Sequence, residues 1–337
     1  MLRPFYRQCR LGDNLDINGK TPVNDGGTLF MPREQMTRLL GKAYRGFLKN
    51  LPQNRSCDAF AALVIFLRSH RRLPKIDGGL FNDFLFYLKT SDEILDPRRV
   101  FVSDKEYVKK YVSMKVGDRY NVPTLGIVRD LDEAYRYRFP DHCVIKPTHM
   151  SGPVMFRKNG GAIDFSVIAK WFSENYYLSG REANYKDLSP KLIIEPYIFN
   201  KSGVEDFKMF CVNGEPRVIQ VDSNRHGEHT RNFYTTSWEE LPFSATFPKG
   251  APTRRPANLD QMLSLAATLS ADFNMIRVDL YSDDENVLVG ELTNCPGNAT
   301  MRFVPAGSEK LMTDFLFGEQ PISHILKPNG FAASSFT

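Results

Sequence analysis

Arg277-Val278-Asp279-Leu280-Tyr281, a short acidic loop, then Gly290-Glu291-Leu292-Thr293-Asn294-Cys295-Pro296-Gly297: this stretch decides the fold. Met275 to Tyr281 and Val287 to Thr293 read as the two strands of a hairpin. Asp279 and Glu291 interrupt their apolar character, and a carboxylate buried there without a partner is costly. A connection of about five residues sets the two opposite each other on one face, with Cβ atoms ~5 Å apart. Two like charges that close call for a cation between them. Hard carboxylate oxygens with a phosphate co-ligand point to Mg²⁺. The competing reading pairs each carboxylate with an arginine, such as Arg277.

Working outward, Cys143 to Lys146 reads as a short strand, followed by the turn His149-Met150-Ser151-Gly152. A lysine there can clamp phosphate oxygens as a point charge while backbone N–H groups close over them. Pro153 to Arg157 is the next strand, and Asp164 caps a helix running to Tyr177. Leu192 to Phe199 is a buried strand that can offer a C=O and an N–H to an adenine edge. Taken alone, each of these is also an ordinary core strand. Asp206 to Val212 and Arg217 to Asp222 flank Asn213-Gly214, a strong hairpin signal. Leu259 to Leu269 is an amphipathic helix.

The first third of the chain differs in character. Pro32 to Leu51 forms one apolar stripe with Arg38, Lys42, Arg45 and Lys49 opposite. A second helix starts near Asp58 and ends in Arg68, His70, Arg71 and Arg72, cations suited to a helix C-terminus. Leu80 to Lys89 is a third, and Asp104 caps a fourth over Lys105 to Lys115. Residues 1–103 therefore form a mainly helical region, and the tail from Ile322 reads as loose. The net charge of +5 over 337 residues favours an anionic partner without choosing one. It is too dispersed for a nucleic-acid module, so no nucleic-acid partner is expected. Cys9, Cys57, Cys143, Cys211 and Cys295 form no C-x-x-C pair and are odd in number, against zinc and against a disulfide framework. The start lacks a signal-peptide core, and the longest apolar run, Ala59 to Leu67, is too short to span a bilayer. A soluble cytoplasmic protein is expected.

The order of the pieces carries the specificity: Asp104-Lys105; Val-Ile-Lys146-Pro with its Ser-Gly turn; Ile-Ile-Glu195-Pro-Tyr-Ile; Glu205-Asp206-Phe-Lys208; Arg277-Val-Asp279; Glu291-Leu-Thr293 with Pro296-Gly297. This series resembles the ATP-grasp superfamily. The segments Asp206-Phe-Lys-Met-Phe-Cys-Val-Asn-Gly, Ile219-Gln-Val-Asp-Ser, Arg231-Asn-Phe-Tyr and Gly290-Glu-Leu-Thr resemble its teichuronopeptide-biosynthesis (TupA-like) branch. The resemblance implies an α+β fold, with two α+β lobes holding ATP between antiparallel sheets over 104–318 (104–200 the ATP-lid lobe, 201–318 the metal and catalytic lobe). The helical N-terminal region precedes it, and a tail of 319–337 follows.

The resemblance also implies roles. Lys105 and Lys146 would hold the ATP phosphates under a lid at Met150, Ser151 and Gly152. Glu195, Pro196, Tyr197 and Ile198 would line the adenine cleft, and Asp206 would take the ribose hydroxyls. Lys208, Arg231 and Arg277 would act on the transferring phosphoryl group. Asp279, Glu291 and Thr293 would hold Mg²⁺. Thr293 stands where D-alanine–D-alanine ligases carry an asparagine, and Asn294 points to the other face of an ideal strand.

The activity implied is Mg-ATP-dependent joining of a carboxylate to an amine through an acyl phosphate. For this branch the substrate is a uronic-acid-type sugar of a surface polysaccharide, with peripheral association with that machinery. Phosphorylation of a hydroxyl by the same site is the alternative, and a nucleotide-binding protein without turnover is a third reading. His226 and His229 read as solvated loop histidines more readily than as bases, and Cys295 as a packed thiol.

Overall fold

The computed structural model describes residues 41, 43–44, 46–199, 205–224 and 227–326. The chain divides into two compact units, Met1–Tyr44 and Arg45–Thr337. Nearly all of the first unit lies outside the described residues, and with it most of the helix expected over Pro32 to Leu51. In the second unit, residues 46–50 are helical.

Helix α1 (Arg55–His70) begins three residues before Asp58 because the Asn54 side chain accepts from the Cys57 N–H. Helices α2 (Phe81–Thr90), α3 (Pro97–Ser103) and α4 (Lys105–Val116) follow. Asp104 caps α4, accepting from the Glu106 N–H at 2.8 Å. Phe66 of α1 and Phe81, Phe84 and Leu85 of α2 lie in the same core as residues of the large sheet. The boundary expected at 103/104 is therefore not a break in packing.

A smaller lobe follows. Strands β1 (Gly126–Val128), β2 (Cys143–Pro147), β3 (Met155–Arg157) and β4 (Leu192–Glu195) form an antiparallel sheet of order β1-β4-β2-β3. Helices α5 (Leu131–Arg136) and α6 (Phe165–Ser173) pack on it through Ala134, Ile168 and Trp171. Two sequence expectations fail here. The helix capped by Asp164 stops at Ser173 rather than Tyr177, and a separate turn of helix, α7 (Tyr177–Gly180), follows. The strand expected to reach Phe199 stops at Glu195, where Pro196 has no N–H to continue the ladder.

The larger lobe is a five-stranded antiparallel sheet, β10-β9-β5-β6-β7. Its strands are β5 (Asp206–Val212), β6 (Glu215–Ser223), β7 (Thr230–Thr235), β9 (Met275–Ser282) and β10 (Val287–Thr293). Between β7 and β9 lie β8 (Ser244–Ala245), which pairs with β11 (Phe303–Val304), and helix α8 (Leu259–Ser270). Phe207, Met209, Ile219, Val221, Ile276, Val278 and Leu280 give one face an unbroken apolar surface, covered by α4 and α8. The other face changes character along its length. Phe210, Val212, Val218, Phe233 and Met275 pack under α2 and α9 (Glu309–Phe317). Asp206, Lys208, Gln220, Asp222, Arg231, Arg277 and Asp279 follow on the same side by the two-residue period. Helix α10 (Ile322–Ile325) corrects the expectation of a loose tail from Ile322: both isoleucines, three apart on one helical edge, are buried in this core. Among the described residues no helix is long and apolar enough to cross a membrane.

Arg99 ties α3 to the sheet. Fully buried, it donates to Glu93, to Asn274 Oδ1 at 2.6 Å, to Met275 O at 3.1 Å and to Asn294 Oδ1 at 3.0 Å. Asn294 returns its amide N–H groups to Arg99 O and Ser103 Oγ, so it faces away from Thr293 as the strand period requires. Asn294→Ala should lower unfolding free energy by ~1–3 kcal/mol, because Arg99 loses a buried acceptor. The KM for ATP should stay near wild type; a large rise would place Asn294 in the active site instead.

Candidate functional site

The hairpin that decided the fold owes its register to one glycine. Val287 and Val289 point to the helical face, and strict alternation would send Glu291 after them. The ladder instead shifts between Val289 and Glu291, so that Glu291 lies opposite Asp279 and Thr293 opposite Arg277. The extra residue in this bulge is Gly290. A Cβ there would sit 2.7 Å from the Tyr281 ring, so any larger residue would have to push that ring aside. The facing of Asp279 and Glu291 matches the sequence expectation, but the means is the bulge, signalled only by a glycine inside a strand.

The charges on this face are paired both along and across strands. Asp279 accepts from Arg277 Nε at 2.6 Å, from Arg277 Nη2 at 2.7 Å and from Lys208 Nζ at 2.8 Å. Lys208 also donates to Asp206. Arg277 Nη2 reaches Thr293 Oγ1 at 2.9 Å, and that hydroxyl donates to Glu291 Oε1 at 3.0 Å. The cation beside Asp279 in this structure is thus an arginine with a lysine, the competing reading of the sequence. Burial resists ionisation of Asp279, but Arg277 and Lys208 outweigh it and hold its pKa below the usual range. Among the described residues no three acidic, histidine or cysteine side chains cluster as a metal cage. Two facing carboxylates are what a Mg²⁺ ion keeping phosphate and water ligands requires.

Further along the face, Asp222 holds Arg231 through two hydrogen bonds of 2.6 and 3.0 Å. His229 stacks on Phe247, with ring centroids 3.7 Å apart, and lies 3.5 Å from Asp222. It is therefore packed rather than solvated, while His226 lies outside the described residues. Cys295 is buried beside Leu85 O, as a packed thiol.

The small lobe contributes a second cluster. Glu195, buried at the end of β4, accepts from Lys146 at 2.7 Å and from Lys109 at 2.6 Å. Burial opposes the Lys146 charge, and Glu195 beside it reverses that and raises its pKa. The Glu195 carboxyl is in turn held low, its burial outweighed by Lys146 and Lys109. Glu195 thus acts here through its side chain, where the sequence implied backbone groups. Lys109, which the sequence reading passed over, also donates to Val122 O and Thr124 Oγ1. Beside it lies a cavity of about 810 Å³ whose lining includes Asn121, Pro123, Phe199 and Val287. Phe199 follows Ile198, and Tyr197 packs against Phe156 at 5.9 Å.

Lys105, at the start of α4, donates to Met150 O. Burial lowers its pKa, and Glu291 across the cleft opposes that. Met150 is buried in the small lobe's core, and Ser151 hydrogen-bonds Tyr176. The turn is therefore anchored at two residues, with Gly152 at φ +101 beyond them. Glu182 was also missed in the sequence. Burial pushes its carboxyl up to about 7, Lys89 opposing and Glu291 adding to the shift.

The family description that matches the chain is TupA-like ATP-grasp, over residues 85–317. No curated protein matches the chain. Among solved structures, the chain is similar to the D-alanine–D-alanine ligase of Helicobacter pylori at 16% identity and TM-score 0.35, over 60% of this chain and 53% of that one. It is similar to the ATP-grasp ligase PsnB bound to a minimal precursor at 11% identity and TM-score 0.33, over 59% and 54%. The Bacillus anthracis D-alanine–D-alanine ligase gives 18% identity and TM-score 0.31, over 59% and 58%. The chain thus spans somewhat over half the length of these structures. With the match running from α2 through α9 and taking in both sheets, the chain belongs to the TupA-like ATP-grasp family and has the α+β ATP-grasp fold.

Proposed function

We propose that the protein is a Mg-ATP-dependent carboxylate–amine ligase, joining an amino acid or other amine to a uronic-acid-type sugar of a surface polysaccharide. One observation carries the reading: a single polar sheet face brings Glu291 opposite Asp279 beside Arg277 and Lys208, while Lys105 at the start of α4 and Lys146 of the smaller lobe both feel the Glu291 charge. A carboxylate does not react with an amine at neutral pH, and phosphorylating it creates a leaving group. That transfer asks a protein mainly for alignment and positive charge.

Lys105 and Lys146 hold phosphate oxygens, with Met150, Ser151 and Gly152 as the turn over them. Glu195, Pro196, Tyr197 and Ile198 border the base, next to the cavity at Phe199, and Asp206 takes the ribose. Lys208, Arg231 and Arg277 face the transferred group. Asp279 and Glu291, with Thr293 beside them, would hold Mg²⁺, which supplies charge neutralisation at the phosphates. Excluding water protects an acyl phosphate from hydrolysis. Dependence on ATP supports a cytoplasmic site of action, with peripheral contact to the polysaccharide machinery. The test is ADP release from Mg-ATP over a panel of uronic acids and amines. Release that requires both partners supports the ligase; a phosphorylated hydroxyl as the product would make the protein a phosphotransferase.

A further inference from the structure

The ligase reading assigns residues to ATP and to the activated acid, and leaves the amine without a partner. Carboxylates around the cleft are matched to cations: Asp279 to Arg277 and Lys208, Glu195 to Lys146 and Lys109, Asp222 to Arg231. Glu291 accepts from the Thr293 hydroxyl, and among the described residues Glu182 has neither a cation nor a hydroxyl bonded to it. Its side chain belongs to a residue only 8% exposed, and no donor among the described residues hydrogen-bonds its carboxylate. Lys89, whose charge reaches it, directs its ammonium to Gly180 O and Asn298 Oδ1 instead.

The surroundings hold this carboxylate still. On one side Arg181, fully buried, donates to Leu48 O, Pro52 O and Asp58. It adopts a left-handed backbone at φ 54, a strained conformation for a non-glycine residue. On the other side Asn184 donates to Ser103 Oγ at 2.7 Å. Gly180 leaves room before it: a Cβ there would lie 2.8 Å from Asn298 Nδ2 and 3.3 Å from Glu182 Oε1. Tyr176 and Tyr185 pack edge to face, with centroids 4.9 Å apart, and both phenols feel the charges of Glu182 and Glu291. Ser151 of the turn hydrogen-bonds Tyr176.

We propose that Glu182, beside the Tyr176–Tyr185 pair, is the anchor for the ammonium group of the amine substrate. The inference rests on the ligase reading of the same site. A buried carboxylate lacking donors is completed by a ligand that brings them, and an ammonium brings three N–H groups and a positive charge. Aromatic rings close enough to feel its charge favour an organic cation. Mg²⁺ demands a nearly complete shell of oxygens, which two tyrosine rings do not supply.

The test uses the full chain with Mg-ADP and methylammonium chloride as the probe, with sodium chloride at equal concentration controlling for salt. In the wild type, methylammonium should raise Tm to a plateau; in Glu182→Gln it should not. Glu182→Gln should itself melt no lower than the wild type, since no hydrogen bond to that carboxylate is lost among the described residues. Glu182→Asp, which withdraws the charge by one methylene, should need about tenfold more probe for the same shift, as 1.4 kcal/mol of lost contact implies. Equal shifts in wild type and Glu182→Gln, or none in the wild type, would overturn the proposal. A large loss of stability in Glu182→Gln would make the carboxylate a structural partner of Lys89. Hydroxylamine, a neutral acceptor at working pH, tests the ligase reading separately: without any hydroxamate in the wild type that reading fails, whatever methylammonium does.

Discussion

Arg277→Ala should lower the free energy of unfolding by ~3–5 kcal/mol, the usual cost of stripping one partner from a buried ion pair. Asp279 would keep only Lys208, itself shared with Asp206, in a strand with an apolar layer behind it. Turnover should fall on the order of 10²–10³-fold, as when one preorganised cation or donor is removed from a transition state. Urea unfolding followed by tryptophan fluorescence reads the first effect and single-turnover ADP release the second. The two effects separate in a double variant. Adding Asp279→Asn to Arg277→Ala should recover part of the lost stability, because the stranded charge is gone, and should recover no activity. A single variant as stable as wild type would show that the Arg277–Asp279 contact does not exist in solution.

Lys146→Ala should remain folded and lose turnover by on the order of 10²-fold or more. Folding survives because Glu195 keeps Lys109 at 2.6 Å, and because Lys146 lies at the cleft end of its strand rather than in the core. Glu195→Gln in the same chain should restore the stability lost, since it removes the half-compensated carboxylate. Neither change should restore the rate, because the phosphate clamp is the ammonium itself. Wild-type turnover in Lys146→Ala would take this lysine out of the mechanism and leave it as a structural partner of Glu195.

The parts of the site legible in sequence were those with a local signal. Asp279 and Glu291 stood out because a charge inside an apolar strand is conspicuous, and Asn213-Gly214 fixed the β5–β6 hairpin by turn chemistry alone. What escaped depended on distance along the chain. Lys109 meets Glu195 across 86 residues, and Glu182 approaches Glu291 across 109. Neither carries a motif, because their importance comes from burial and from which partners tertiary packing supplies or withholds. Glu195 was read as a backbone contributor since strand position says nothing about the two lysines that converge on it. The early ends of α6 and β4 had causes visible only in retrospect: Glu174 breaks the helical path with an extended backbone, and Pro196 ends the ladder. The pairing of Asp279 with Arg277 is the competing reading of the sequence. In the structure Arg277 and Lys208 both hold Asp279, so Mg²⁺ must meet a carboxylate that already has cation partners.

Activation of a carboxylate by phosphoryl transfer leaves an acyl phosphate that hydroxylamine, a small strong nucleophile, intercepts. The full chain is incubated with Mg-ATP, hydroxylamine and a panel of uronic acids and amino acids, and hydroxamate is measured together with the nucleotide products. An accepted acid should yield hydroxamate with ADP and phosphate in equal amounts. Release of AMP and pyrophosphate would mean adenylation, and ADP with a phosphorylated hydroxyl but no hydroxamate would mean a kinase; either result contradicts the account.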